Sequence, residues 1–246
     1  GSSNLEGKDV RFGAAGTALY AEATTTGSSG AVDGAMESLT AGGAAFALAN
    51  MLTGETIFGG IGSGIAGLLL LALLAMFLAG LMVGRTPEYL GKRVEAREVK
   101  LLSVGTLAAP IVVLVLTAIA VATPLGAASR FAFDTSQAFT EHLWTSASQT
   151  MNNGSAFAGY VGFVQPNAPG NAGAYGSTFA DVAGTVAMLR GRYVPLAARR
   201  VAPAGLGTLR TDGATFGIVL LFVIVVIVVL NFLPALALGP LAGELR

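Results

Sequence analysis

IAGLLLLALLAMFLAGLMVG, at residues 65–84, is the stretch that sets the fold class. It holds no charged residue, and none lies between Glu55 and Arg85. About 20 apolar residues in a helix cross the ~30 Å hydrocarbon core of a bilayer. Backbone in hydrocarbon must satisfy its own hydrogen bonds, which a single segment achieves only as a helix. Two more stretches read the same way. Residues 101–123 lie in a charge-free run between Lys100 and Arg130, and Pro110 is expected to kink that helix where neighbours satisfy the freed carbonyl. Residues 216–238, FGIVLLFVIVVIVVLNFLPALAL, are rich in β-branched side chains that favour a strand in water. Length and uniform apolarity decide for a helix in lipid. A weaker span, 178–198, contains Asp181, Arg190 and Arg192. It is expected to face protein or water rather than lipid.

Composition agrees. Of 246 residues, 53% are hydrophobic and 11% charged, against about 25% charged in ordinary soluble domains, and mean hydropathy is +0.69. The formal net charge is zero, so no basic field points to nucleic acid. The chain has no cysteine, which excludes disulfides, thiolate metal sites and cysteine nucleophiles, and its one histidine, His142, argues against a histidine-based metal site or catalytic triad. The 34 glycines suit close helix packing and irregular loops at membrane depth. No secretory signal precedes the first segment, and the start at Gly1-Ser2-Ser3 without Met is read as a fragment, a processed chain or an engineering scar.

Charge placement orients the spans. The stretch from Arg85 to Lys100 carries five basic residues, and a second basic stretch holds Arg190, Arg192, Arg199, Arg200 and Arg210. Between them, 124–177 has only Arg130 as a basic residue. The positive-inside rule places both basic stretches in the cytoplasm and 124–177 outside. Four spans then leave the C-terminus outside.

Two short segments behave differently. Residues 12–23 (FGAAGTALYAEA) and 139–151 are helical in character but too short to span. Each runs into a small, polar, glycine-containing stretch: TTTGSSGAV at 24–32 and NNGSAFAG at 152–159. A short helix, a polar turn and a return towards a full span make a weak internal repeat with the pattern of a re-entrant pore loop. Residues 39–58, interrupted by Gly42-Gly43, Gly54 and Glu55, read as a broken half-helix before 65–84. Backbone carbonyls of glycine-permitted turns can replace the hydration shell of a cation without burying a full charge. The competing account of such Gly/Ser/Asn runs is an ordinary surface loop. Their position after short apolar helices sets the two accounts level.

Several motifs carry a family resemblance: GKDVRFG at 7–13, GAV at 30–32, FGGIGSG at 58–64, AGLMVGRTPEYLGKR at 79–93, NNGSAFAG at 152–159, GLGTL at 205–209 and FLPALALGP at 232–240. In this order, over nearly the whole chain, they resemble the potassium-binding A subunit of Kdp-type potassium-transporting P-type ATPases. The resemblance implies an all-α integral membrane fold, with four transmembrane helices plus two re-entrant pore loops, as half of a transporter built from four helix–pore-loop–helix repeats. Residues 1–100 would hold the third-repeat pore loop, half-helix, span and cytoplasmic loop, 101–210 the fourth repeat, and 211–246 the final span. Filter positions would be Ser28, Ser29 and Gly30 in one loop and Asn152, Asn153 and Gly154 in the other, with potassium as the transported ion. The implied partners are the ATPase (B) subunit, small accessory subunits, the N-terminal half of the subunit and the lipid of a bacterial inner membrane. ATP hydrolysis would sit in the partner, since this sequence has no nucleotide-binding or aspartyl-phosphate motif and is not expected to be catalytic itself. The chain departs from the family pattern at Met151, where a third Asn is usual, and at Ser29, where Cys is frequent. Segment 160–178 is also more glycine-rich than the family pattern.

Arg192 aligns with a family arginine below the filter, where a positive charge would block ions from running straight to the cytoplasm. The alternative is a snorkelling arginine at a helix end. His142 reads as a structural residue and Trp144 as a membrane-interface residue. Glu55 is either an intramembrane functional carboxylate or a helix cap. Asp33 and Glu37 read as solvated loop carboxylates, with cation attraction at the mouth as the alternative. Competing functions are a passive or ion-coupled potassium transporter of the same superfamily, a membrane-embedded enzyme, for which the single His is unfavourable, and an inactive fragment.

Overall fold

The computed structural model describes residues 11–53, 59–60, 64–84, 88–89, 92–94, 96–127, 138–157, 160, 176–197 and 213–241. The helices are α1 (Gly13–Thr26), α2 (Ala41–Thr53), α3 (Gly64–Val83), α4 (Ala96–Ala122), the short α5 (Pro124–Ala127), α6 (Ala138–Thr150), α7 (Gly176–Ala197) and α8 (Ala214–Leu236). A 3₁₀ turn at Met36–Ser38 precedes α2, and a π-type turn at Ala237–Leu241 continues α8. One small addition to the all-α expectation is a two-residue antiparallel ladder, Glu88-Tyr89 against Lys92-Arg93, in the basic loop.

Among the described residues, three helices are long and apolar enough to cross a membrane: Gly64–Met82, Ala96–Ala122 and Ala214–Pro240. Much of their surface is uncovered by protein. On α8, Ile218, Phe222, Val225, Leu230 and Leu233 all point outwards. In water such a face would collapse against itself, whereas hydrocarbon solvates it. The helix expected at 101–123 begins earlier, at Ala96, and so takes Arg97, Glu98 and Lys100 into its first turns. It runs as one helix through buried Pro110.

The fourth long helix, α7, has two distinct faces. Ala180, Gly184, Ala187 and Gly191 recur at spacings of four and three and form its buried stripe. These small residues let its backbone lie close to α6, so that a Cβ on Gly191 would collide with the Thr150 carbonyl. Val182, Val186, Leu189 and Tyr193 form a second, exposed stripe. One face of α7 thus packs on α6, and within this chain an apolar face is left uncovered.

The main core lies where α2, α4, α6 and α8 meet, with Leu48, Met51, Val113, Leu143, Trp144 and Phe232 among its members. A smaller cluster joins α3 to α8 through Leu71, Ala75, Val223 and Ile224. Helix α6 is unusual in composition for a buried element. Thr140, Glu141, His142, Thr145, Ser146, Ser148 and Thr150 are all buried along it. A polar helix enclosed on all sides is protected from lipid by its neighbours, chiefly α4 and α7.

Candidate functional site: two apposed glycine turns

Helices α1 and α6 are the short segments expected at 12–23 and 139–151, and each ends in a polar turn. The turns share one backbone signature. Ser28 has φ 49° and Gly30 φ 70°, while Asn152 has φ 54° and Gly154 φ 96°. Ser28 and Asn152 are the only non-glycine residues with positive φ among the described residues. In each loop a left-handed residue is followed by one of negative φ and then by a glycine of positive φ. Alternating the sign of φ lets successive peptide oxygens turn to a common side, where an extended strand would alternate them. Ser and Asn in the left-handed region are strained by roughly 1–3 kcal/mol, which the surroundings must hold in place.

Hydrogen bonds hold the first loop. The Gly27 N–H donates to the Ala23 carbonyl at 3.0 Å and the Ser29 N–H to the Thr24 carbonyl at 3.2 Å. The Thr24 and Ser29 hydroxyls meet at 2.7 Å. In the second loop, the Asn153 N–H donates to the Ser148 carbonyl at 2.8 Å and the Gly154 N–H to Ser148 Oγ at 2.9 Å. Asn153 Oδ1 accepts from the Ser155 N–H at 3.0 Å and from Ser155 Oγ at 2.6 Å. Ser155 Oγ in turn accepts from Trp144 Nε1 at 3.3 Å.

The two loops touch. Asn153 Nδ2 donates to the Thr24 carbonyl at 3.2 Å across 129 residues of sequence. A Cβ on Gly30 would overlap the Asn153 carbonyl oxygen and lie 3.1 Å from the Gly154 carbonyl carbon. Gly30 is thus required both by its φ and by backbone passing against backbone. Asn152 Nδ2 donates to the Met188 carbonyl of α7 at 3.3 Å.

All six expected filter residues therefore fall on the two turns, and Gly30, Asn153 and Gly154 come into direct apposition. Met151, at the departure from the family pattern, is 3% exposed and packs in the core. Ser28 Oγ is buried with no hydrogen-bond partner. Among the described residues no group of three or more His, Asp or Glu side chains converges, so the oxygens of the turns are carbonyls, hydroxyls and amides. Such a set can coordinate a weakly hydrated monovalent cation. The C-terminal ends of α1 and α6 add partial negative charge.

Several further residues take their places. Trp144 is 0% exposed. Its expected place at the membrane interface is corrected: the indole fills the core against Phe157 at a centroid distance of 5.4 Å, and its N–H has Ser155 as partner. His142 is buried, with its ring edge-on to Tyr160 at 6.1 Å. Burial, then Glu141 and Asp181, push the Tyr160 phenol up to about 12. Arg192 is half-buried and follows Gly191, at the level of the α6 C-terminus. Asp33 lies with Arg11 and Tyr20 along an open surface. Glu55, the Glu37 side chain and most of 160–178 lie outside the described residues. Beside the second turn, a cavity of about 90 Å³ is lined by Thr150, Met151, Gly191, Thr106, Pro110 and Phe232, among others. Sequence reading missed Trp144, Ser148 and Ser155 as supports of the turn. The signal available was a run of hydroxyl residues on a helix too short to span.

A family model described as the potassium-transporting ATPase A subunit matches residues 1–245. The chain belongs to that family. It is 44% identical to the potassium-transporting ATPase potassium-binding subunit of Paracidovorax citrulli, over 98% of this chain and 40% of that protein. The subunit of the same name from Methylobacterium nodulans is 45% identical, over 98% of this chain and 42% of its own length. That from Pseudomonas entomophila is 44% identical, over 99% and 43%. The chain thus spans about two fifths of the A-subunit relatives it matches. Its apolar helices are those of a multi-pass membrane protein.

Proposed function

We propose that this chain supplies two of the loops of a carbonyl-lined potassium filter, within a complex that imports potassium at the expense of ATP. The observation that carries the reading is the repeated backbone signature of Ser28–Gly30 and Asn152–Gly154, in contact, each at the C-terminus of a short helix. The relatives' name, a potassium-binding subunit of a potassium-transporting ATPase, supports potassium as the ion. Hydrolysis then belongs to the ATPase subunit, to which the selected ion is delivered, with small accessory subunits completing the complex.

In this reading the two turns are re-entrant pore loops reaching membrane depth from outside. α7 is the fourth span, shielded from lipid by further protein along its exposed stripe. Residues 1–100 form the third repeat without its outer helix, 101–210 the fourth, and 211–246 the last span. The basic stretches 85–100 and 190–210 face the cytoplasm of a bacterial inner membrane, and the C-terminus lies outside. Arg192, below the second turn, repels ions from a direct path inwards. Two loops enclose only part of an ion, so the remaining length of the subunit is needed to close the ring.

Calorimetry of potassium binding in detergent, against sodium and choline, tests this with and without a separately supplied N-terminal half. Binding that requires the other half, with sodium and choline inert, is the expected result. Failure of potassium to bind under both conditions would remove the filter reading.

A further inference from the structure

Asn50 stands near the end of α2, outside both turns. Its Nδ2 donates to the Glu22 carbonyl at 3.0 Å and to Thr25 Oγ1 at 2.9 Å, and also meets Thr26 Oγ1. All three oxygens belong to the last turn of α1. The hydroxyl protons of Thr25 and Thr26 are already given back along the helix, Thr25 Oγ1 to the Ala21 carbonyl at 2.7 Å and Thr26 Oγ1 to the Glu22 carbonyl at 2.8 Å. Only their lone pairs face the amide, so a donor is the one kind of group that fits between them. The same helical turn carries Thr24, whose carbonyl receives the Ser29 N–H and Asn153 Nδ2. Any shift of this turn therefore moves Ser28–Gly30 relative to the second loop.

The second loop has a counterpart built the other way round. There the loop's own Asn152 donates to the Met188 carbonyl of α7, the helix that follows it. An asparagine amide thus ties each short-helix-and-turn unit to the helix that follows, from α2 to the end of α1 in one repeat and from the loop to α7 in the other.

We infer that Asn50 is a positioning residue for ion discrimination: its amide sets where the end of α1, and with it the Ser28–Gly30 turn, stands against the Asn153–Gly154 turn. The inference rests on the filter reading above. Carbonyl filters discriminate cations through the number and placement of their oxygens, so a displaced turn changes which ion fits more than whether any ion binds.

The test uses the subunit at its full length, assembled with its partner subunits. Apparent affinities for potassium and rubidium are measured for the wild type, Asn50→Ala and Asn50→Asp, each with a thermal unfolding curve. Asn50→Asp keeps shape and volume but replaces the donor by an acceptor. Both variants are expected to change the rubidium-to-potassium affinity ratio by at least about threefold, with the aspartate as severe as the alanine. If both keep the wild-type ratio, even with lowered thermal stability, Asn50 is only a packing residue and the inference is overturned. Should Asn50→Ala or Asn50→Asp fail to fold, Thr25→Val and Thr26→Val carry the same test by removing one acceptor each, and an unchanged ratio in both overturns it equally. A wild type that binds neither ion would instead refute the filter reading itself, which keeps the two failures distinct.

Discussion

Gly30 and Gly154 occupy equivalent places in the two turns but are held for different reasons. Gly154 has φ 96° and open space where a Cβ would stand, whereas Gly30 combines φ 70° with the Asn153 carbonyl at that place. Gly154→Ala is expected to cost roughly 1–2 kcal/mol from backbone strain alone. Gly30→Ala must also part the two loops, so its loss is larger and potassium binding is abolished. Thermal unfolding of the two variants in detergent checks the order. Behind the second loop, Trp144, Ser155 and Asn153 form a chain of donors and acceptors. Ser155→Ala leaves the buried Trp144 N–H unsatisfied, while Asn153 Oδ1 keeps the Ser155 N–H, and is expected to cost about 1–3 kcal/mol, against about 0.5–1.5 kcal/mol for the hydrogen bond lost in Trp144→Phe. A double-mutant cycle between them should show coupling, since they share one hydroxyl.

Among the helices, α7 and α8 show how the same residue type serves opposite ends. Gly191 on α7 lies where the Thr150 carbonyl occupies the space of a Cβ, while Gly217 on α8 has nothing near it. Gly191→Ala should push α7 off α6 at about 1–3 kcal/mol and loosen Asn152 from Met188. Gly217→Ala should raise helix stability by about 0.5–1 kcal/mol. Unfolding curves of both variants in one detergent read the contrast. α4 carries a different feature: Pro110 lacks the N–H that would bond the Thr106 carbonyl, and the Thr106 hydroxyl is also without a partner. Thr106 and Pro110 both line the cavity beside the second turn. The helix nevertheless stays continuous there, because Pro110 is buried among packed neighbours that hold its direction.

The orientation proposed from loop charge can be tested chemically, because the chain contains no cysteine to interfere. Exposed Lys100 sits in the basic stretch and exposed Val32 just past the first turn. In intact cells, Val32→Cys is expected to react with a membrane-impermeant thiol reagent, and Lys100→Cys only after the membrane is opened. The reverse pattern would invert the topology.

Hydropathy alone carried the three strong spans, since a uniformly apolar stretch of bilayer length has one stable backbone form in hydrocarbon. The two short helices and the glycines of their turns were also legible, because positive φ selects glycine from within the chain itself. What the chain could not announce was apposition. Asn153 reaches Thr24 across 129 residues, Asn50 reaches back to the end of α1, and Trp144 is enclosed although tryptophan more often marks the interface. The face of α7 that packs on α6 was likewise hidden by its three charges, which lowered its apolarity without touching the small-residue stripe. Local composition records what a segment can do in lipid or at a turn. Which carbonyl a distant amide meets depends on the packing of α1, α2, α6 and α7 together, and only the tertiary structure decides that.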